Sequence, residues 1–484
     1  MMKFGHQTII NGFGLIMLIS CIQLTFIALR SEPPKALLSQ QEIHTDLVLL
    51  EQKIATHSSL AAIAPQHFEQ FKKRAMQVAN SPRTTINRGE FAIQLLKVLA
   101  PLDDISSRVS NIRAKQYLPI TLRQMDGGWL ALNRNDEPLD ADFPFITHID
   151  GLPLKRWVAA SQQFLPPSIQ SVATEQAKIL RMLSILRQEI GISSSETVRL
   201  TLSDQQQHIR QLSLAVERNI PRALQPSKTT TNFNNTPEGF FSFNDLSQFT
   251  LGNSLEQSLK RSLFSPITIL DLRHAYGNGE QLLAWLASYY SPAVAAPLSG
   301  VNLSNTYAIA RYRRAANVRG DYLTPMNFVP YDSLSRQDQY EVDLTEQQIE
   351  TQFDDGFSQW HVRKWQQQAL PLHLLPQPKP GKLILLIGPG CRQQCQWIAH
   401  FAKQWPKTVL IGEPTRGDFG KHHHFKLPSS GITVAITSSI IFDMVGQRLS
   451  GVPTKPDIEL PIDEILYWQG ILALVNAHNQ TSSH

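Results

Sequence analysis

The chain has 484 residues, 42% of them hydrophobic and 18% charged, a globular composition long enough for two to four domains with cores of their own. Its 45 basic and 40 acidic residues leave a formal charge of +5, spread along the chain with no basic stripe. This excludes a nucleic-acid partner and suits at most an anionic membrane surface.

Thr8 to Leu29 carries no charged residue, and at ~1.5 Å per residue it is long enough to cross ~30 Å of hydrocarbon. With Lys3 before it and a polar exit at Arg30–Lys35, residues 1–35 read as a signal anchor or signal peptide. The bulk of the chain is then exported to the cell envelope or periplasm and held at the membrane by this segment. Leu18-Ile19-Ser20-Cys21 resembles a lipoprotein box, with Cys21 as the lipidated residue. The apolar run continuing to Leu29 ranks an uncleaved anchor first.

Residues 36–112 form a helical region, with Ile43, Leu47 and Leu50, then Phe68 and Phe71, then Phe91, Leu95 and Val98 at helical spacing. Residues 113–220 read as a small β module. Asp126-Gly127 and Asp150-Gly151 sit between apolar alternations as hairpin turns, Lys178 to Ile190 shows one helical face, and Val198, Leu200 and Leu202 alternate as a strand. Residues 221–238, rich in Thr and Asn, are a linker.

A core domain follows over 239–470, then a tail over 471–484. It opens with Phe240–Leu246, a helix around Leu255–Leu263 and a strand at Ile267–Leu272. Arg311, Arg313 and Arg314 alternate along a strand and face solvent or an acidic partner, solvent being the plainer reading. Trp360 and Trp365, at helical distance, belong to a cap over a cleft. Pro371–Pro380 is a stiff connector. Leu383–Ile387 is a strand buried on both faces, ending in Gly-Pro-Gly. Trp397, Ile398, Phe401 and Ala402 then recur at helical spacing, and Thr408–Ile411 is a second buried strand. Strand, turn, helix and strand in this order imply a right-handed crossover and a parallel sheet. The turn is a strand-to-helix elbow whose first helical amides point at whatever sits there.

The blocks IGEPTRGD, FKLPSSGITVAI and GVPTKPDIELP, with ITILDLRHAYGNGEQLLAWLASYY upstream, resemble in order and spacing the tail-specific, or C-terminal processing, serine peptidases and their tricorn-core relatives. The resemblance covers most of residues 60 to 465. It implies an α/β fold: a crotonase-like (ClpP-like) parallel-sheet core, a PDZ-like β module carrying FITHIDGLPLKRW, and the N-terminal helical region. It also implies a partner: a peptide or protein C-terminus, which an exposed strand edge of such a module can bind. No Gly-Leu-Gly-Phe-type carboxylate loop is visible in the module.

The family's active site, carried over position by position, arrives altered. Counting back from GEPT without a gap places Gln393 at the nucleophilic serine, Gln396 at the Glu three residues on, and Asp418 at the lysine. An insertion would instead match Phe419-Gly420-Lys421 to the family's Phe-Gly-Lys. LAPLDDISSRV resembles the Leu-x-Asp-Gly-His-Thr-x-Val turn, with Asp104 kept and Ser106 at the His. The resemblance assigns an oxyanion-like cradle to Gly277, Asn278 and Gln394. A carboxamide has no proton that a neighbouring base can remove at neutral pH, so Gln393 forms no acyl-enzyme.

Three readings of function follow. The first is an exported pseudo-peptidase that binds peptides or protein termini. The second is a live serine or cysteine peptidase with relocated groups, drawing on Cys391, Cys395, Ser438 or Ser439. The third is a structural envelope protein. Cys391 and Cys395 form either a disulfide or two small buried residues in the first turn of the elbow helix. His422 and His424 share a strand face, with Asp418 near in sequence, a pattern that suits metal ligands; an exposed polar strand end is the plainer reading. No cofactor and no metal are expected.

Overall fold

The computed structural model describes residues 36–81, 84–125, 128–135, 137–204, 206–219, 239–291, 306–317, 322–365 and 380–460. The anchor segment with Cys21, the linker, almost all of the proline connector and the C-terminal tail lie outside the described residues.

The sheet that positions the site has five strands, all parallel, in the order Phe240–Ser242, Ile267–Asp271, Lys382–Ile387, Thr408–Gly412, Ile458–Glu459. The central strand shows why the sequence run is continuously apolar. Its alternate residues serve two faces. Leu383, Leu385 and Ile387 enter the main core beside the helices Glu280–Tyr290 and Gln394–Ala402. Ile384 and Leu386 pack with Ile269, Val409 and Ile411 on the other side.

Residues 306–365, insertion-like in the sequence, supply most of a second, antiparallel sheet ordered Val329–Pro330, His361–Trp365, Thr306–Tyr312, Ser439–Asp443. Two expectations are corrected here. Trp365 ends a strand rather than sitting on a helix, and Trp360 immediately precedes that strand; both rings are buried. Arg314 is exposed as expected, but Arg311 and Arg313 are not solvated. Arg311 stacks on Trp360, its guanidinium 4.3 Å from the ring centre, and pairs with Glu346. Arg313 is 8% exposed and pairs with Asp354. Planar guanidiniums stacked on aromatic rings explain why alternating arginines tolerate burial here.

A third sheet, His422–Lys426, Thr433–Thr437 and Arg108–Val109, ties the N-terminal helices to the core. Gln40–His57 starts with a capping box between Ser39 and Glu42. Ile43, Leu47, Leu50 and Ile54 bury one stripe against Val434 and Ile436 in a shared cluster. The buried Asp46 carboxylate accepts the backbone N–H groups of Ser429 and Ser430 at 2.8 and 2.9 Å.

The β module is a six-stranded sheet around a separate core that includes Trp157, Leu183 and Leu200. Met125 and Gly128 pair at the end of two antiparallel strands; Asp126-Gly127 between them lie outside the described residues. Asp150 and Gly151 both adopt positive φ, 49° and 78°, which a two-residue type I′ turn demands and Asp-Gly supplies. The single helix expected over 178–190 is two, Ala173–Leu180 and Leu183–Ile190, because the chain breaks at Arg181-Met182. Arg187 then lies buried against Asp150, Nε to Oδ2 2.9 Å, bracing the turn.

Candidate functional site

The strand Lys382–Ile387 runs into the Gly-Pro-Gly turn, and the helix begins at Gln394. Gly390 is required there, since a Cβ would fall 2.5 Å from the Arg273 carbonyl oxygen. Gln393 sits at the apex with φ 54° and ψ −120°, a conformation nearly confined to glycine. A sharp, strained strand-to-helix apex is how hydrolases expose a nucleophile. Here it exposes a carboxamide.

That carboxamide faces the glycine turn after Asp271. The Gly277 amide donates to Gln393 Oε1 at 3.0 Å. Gly277 has φ +91°, and a Cβ there would lie 2.6 Å from Asp245 Oδ1, so the close approach depends on glycine. Asn278, just before the Gly279 start of the following helix, accepts the Glu280 amide on its Oδ1 at 3.1 Å. The Gln394 carboxamide, oriented with its oxygen toward Arg363, accepts from Nη1 and Nη2 at 3.1 and 2.8 Å.

Across the cleft stands Asp418, its side chain 8% exposed. Arg108 Nη2 donates to Oδ2 at 2.7 Å. His422 Nε2 lies 2.9 Å from Oδ1, a close contact without hydrogen-bond alignment. Burial alone would raise the Asp418 pKa, but His422, Arg108 and Arg416 outweigh it and hold the carboxyl below its ordinary range. The cleft thus carries a carboxylate held by its neighbours at Asp418. Gln396, at the Glu position, is fully buried, and its Oε1 accepts the Asp418 amide at 2.9 Å.

Gln393, Asp418, Gly277, Asn278, Gln394, His422 and His424 all line one cleft of about 920 Å³. Other sequence-predicted residues do not line it. Ser106 is buried, 2% exposed, and its Oγ has no hydrogen-bond partner among the described residues. Asp104 beside it is 1% exposed and accepts from the Thr437 amide at 2.8 Å and the Thr437 hydroxyl at 2.7 Å. Its burial raises its pKa against the pull of those bonds. Cys391 and Cys395 are joined by a disulfide, with Cα atoms 5.3 Å apart, and both are fully buried. Ser438 and Ser439 are buried as well. The Ser438 hydroxyl bonds Tyr322 and the Lys421 carbonyl, and Ser439 Oγ accepts the Lys421 amide.

His422 and His424 share a strand face, ring centres 6.4 Å apart. Among the described residues no group of three or more His, Cys, Asp or Glu is placed to hold a metal.

Lys421 does line the cleft. Its ammonium donates to the Tyr322 carbonyl and lies 4.2 Å from the centre of that ring. The sequence reading missed Arg108, Arg363 and Arg392, which also line the cleft. Two of them were in view, Arg392 beside Gln393 and Arg108 two residues past Ser106. Only the topology, which pairs Arg108–Val109 with Thr433–Thr437, brings them to one place.

No protein-family model and no curated protein sequence matches the chain significantly. Solved structures do. Mature CPAF aligns over 87% of this chain and 93% of its own, with TM-score 0.50 at 12% identity. CPAF complexed with lactacystin gives 0.51 at 13% identity, over 87% and 94%. The photosystem II D1 C-terminal processing protease covers 87% and 93% at TM-score 0.32 and 12% identity. The likeness to CPAF is one of fold.

Proposed function

We propose that this chain is an exported tail-specific-peptidase homologue that has lost proteolysis and uses the cleft to bind extended peptides or protein termini. In this reading the parallel sheet is a crotonase-like core and the β module is PDZ-like. One observation carries it: the apex that should hold a nucleophile holds Gln393, and the Gln393 amide oxygen sits on the Gly277 N–H. A substrate carbonyl would meet that donor in an active relative. The side chain therefore both lacks an ionisable proton and fills part of the cradle.

The relocated-nucleophile alternative finds no support in the geometry. Its four candidate residues are buried and none lines the cleft: two are in a disulfide and two are hydrogen-bonded to Tyr322 and Lys421. The purely structural alternative leaves the open cleft unexplained. Export rests on the Thr8–Leu29 segment, which is not described, and is favoured by the disulfide, since such bonds persist in oxidising compartments. Among the described residues no helix is long and apolar enough to cross a membrane.

A fluorophosphonate probe and a thiol-reactive acyl probe, applied to the purified chain alongside an unstructured protein substrate, test the reading. No covalent label and no cleavage are expected. Labelling or cleavage that disappears when one Ser or Cys is changed to Ala would overturn it.

A further inference from the structure

The charge lining the cleft is unbalanced. Arg108, Arg363, Arg392 and Lys421 face it, against Asp418 as the one carboxylate among its lining residues. Three of these cations are already committed, Lys421 to the Tyr322 carbonyl. Arg363, 1% exposed, pairs with Glu280 and stacks 4.4 Å from the Trp365 ring centre. Arg108 holds Asp418. Arg392, next to the apex, has no carboxylate within ion-pair distance among the described residues, and neither has Arg416.

Burial first, then the nearby charges of Arg108 and Arg416, lowers the Arg392 pKa, and Asp418 opposes them. The Nε of Arg108, sheltered from solvent, has no acceptor among the described residues. Like charges gathered in a half-buried place are costly unless an anion joins them.

The neighbouring backbone suits an extended chain. His422–Lys426 is the edge strand of its sheet. Lys421 O accepts from Ser438 N and Leu427 N donates to Ile432 O, so the odd-numbered residues pair inward. The N–H and C=O groups of His422 and His424 therefore point off the open edge.

We propose that the cleft is a carboxylate-recognition site, in which an extended peptide places an acidic group on Arg392, with Arg108 in the same lining. This rests on the peptide-binding reading of the same cleft and names what that peptide must carry. The carboxylate comes either from Asp and Glu side chains or from a chain end. A planar guanidinium suits either, because it can meet both oxygens at once.

Four fluorescent versions of one extended peptide test it against the full chain in detergent micelles. They carry Asp/Glu or the isosteric Asn/Gln, each with a free or an amidated C-terminus, and anisotropy is read at low and high salt. The acidic peptides are expected to bind about tenfold more tightly than the neutral amidated one, the scale of one charge-assisted hydrogen bond. That advantage shrinks with salt. Arg392→Gln removes it, Arg392→Lys retains part of it, and Arg336→Gln, on an exposed helix start, leaves it unchanged; thermal melts check that the variants fold.

If the amidated acidic peptide binds, side chains supply the carboxylate. If only free-ended peptides bind, regardless of Asp and Glu, the chain end supplies it. Equal binding of all four overturns carboxylate recognition while leaving peptide binding intact. Binding of none overturns both.

Discussion

The apex at Gln393 and the arm around Asp104, residues 99–109, hold their polar side chains in different ways. At the apex the backbone has the shape of a nucleophile elbow, with Gln393 at φ 54° and the Gly277 amide 3.0 Å from its side chain, and the carboxamide is exposed in the cleft. On the arm, the Asp104 carboxylate lies in the interior, where it organises Thr437 and the Ser106 amide. A strained, exposed position needs a reason outside local stability, whereas a buried carboxylate that satisfies three donors has a structural one.

The sharpest way to break that comparison is at Asp104. If the arm is now structural, Asp104→Ala leaves the Thr437 amide and hydroxyl buried without an acceptor, and should destabilise the chain by about 3 kcal/mol in urea titration. Peptide binding in the cleft should be retained under conditions where the variant is folded. A loss of less than about 0.5 kcal/mol, within the range of surface changes, would return Asp104 to the functional side.

A smaller effect separates the histidines that line the cleft from the one that does not. His423 points away from His422 and His424 and stacks on His57, ring centres 4.1 Å apart, where the N-terminal helix meets the core. Burial first, then His57, Lys53 and His424, lowers the His423 pKa to about 4. Burial and Lys53 lower His57 too, with Arg313 adding to it. Both groups bind protons less readily folded than unfolded. Their stabilisation is therefore fully present above pH ~6.5 and is lost as pH falls toward 4. Discounted for partial exposure, the loss is on the order of 1–2 kcal/mol. Melting temperature followed across that window should decline, and His423→Phe, which keeps a stacked ring, should flatten the decline. An unchanged slope in the variant would assign acid sensitivity elsewhere, with Asp418 the next group to examine below pH 4.

Much of this architecture was legible in the chain because its signals are local. The continuous apolar run at Leu383–Ile387 announced a strand buried on both faces, and Asp150-Gly151 announced its turn. Gln393 was found by counting along the chain from GEPT, and its neighbour Gly277 by the glycine turn after Asp271. What escaped depended on contacts between distant segments. Arg311 and Arg313 looked solvated because the rings and carboxylates that cover them lie some 35 to 50 residues away. The arginines around Asp418 come from three segments, and only the third sheet brings them together. The division at Arg181-Met182 was invisible because the apolar spacing of both short helices happens to continue one face.

The smallest expected effect isolates the apex itself. Gln393→Ala and Gln393→Gly both remove the carboxamide from Gly277 N–H, so each loses the same hydrogen bond, a contribution of about 1 kcal/mol. They differ in the backbone. Alanine must still occupy φ 54°, ψ −120°, whereas glycine enters that region without a Cβ penalty. If the fold imposes the apex geometry, the Gly variant should be more stable than the Ala variant by about 1 kcal/mol, despite glycine's greater chain entropy when unfolded. If instead the carboxamide holds the apex in place, both variants relax to an ordinary conformation once it is gone, and Ala equals or exceeds Gly. That sign, read from paired denaturation curves, decides whether the sheet or the glutamine maintains the elbow.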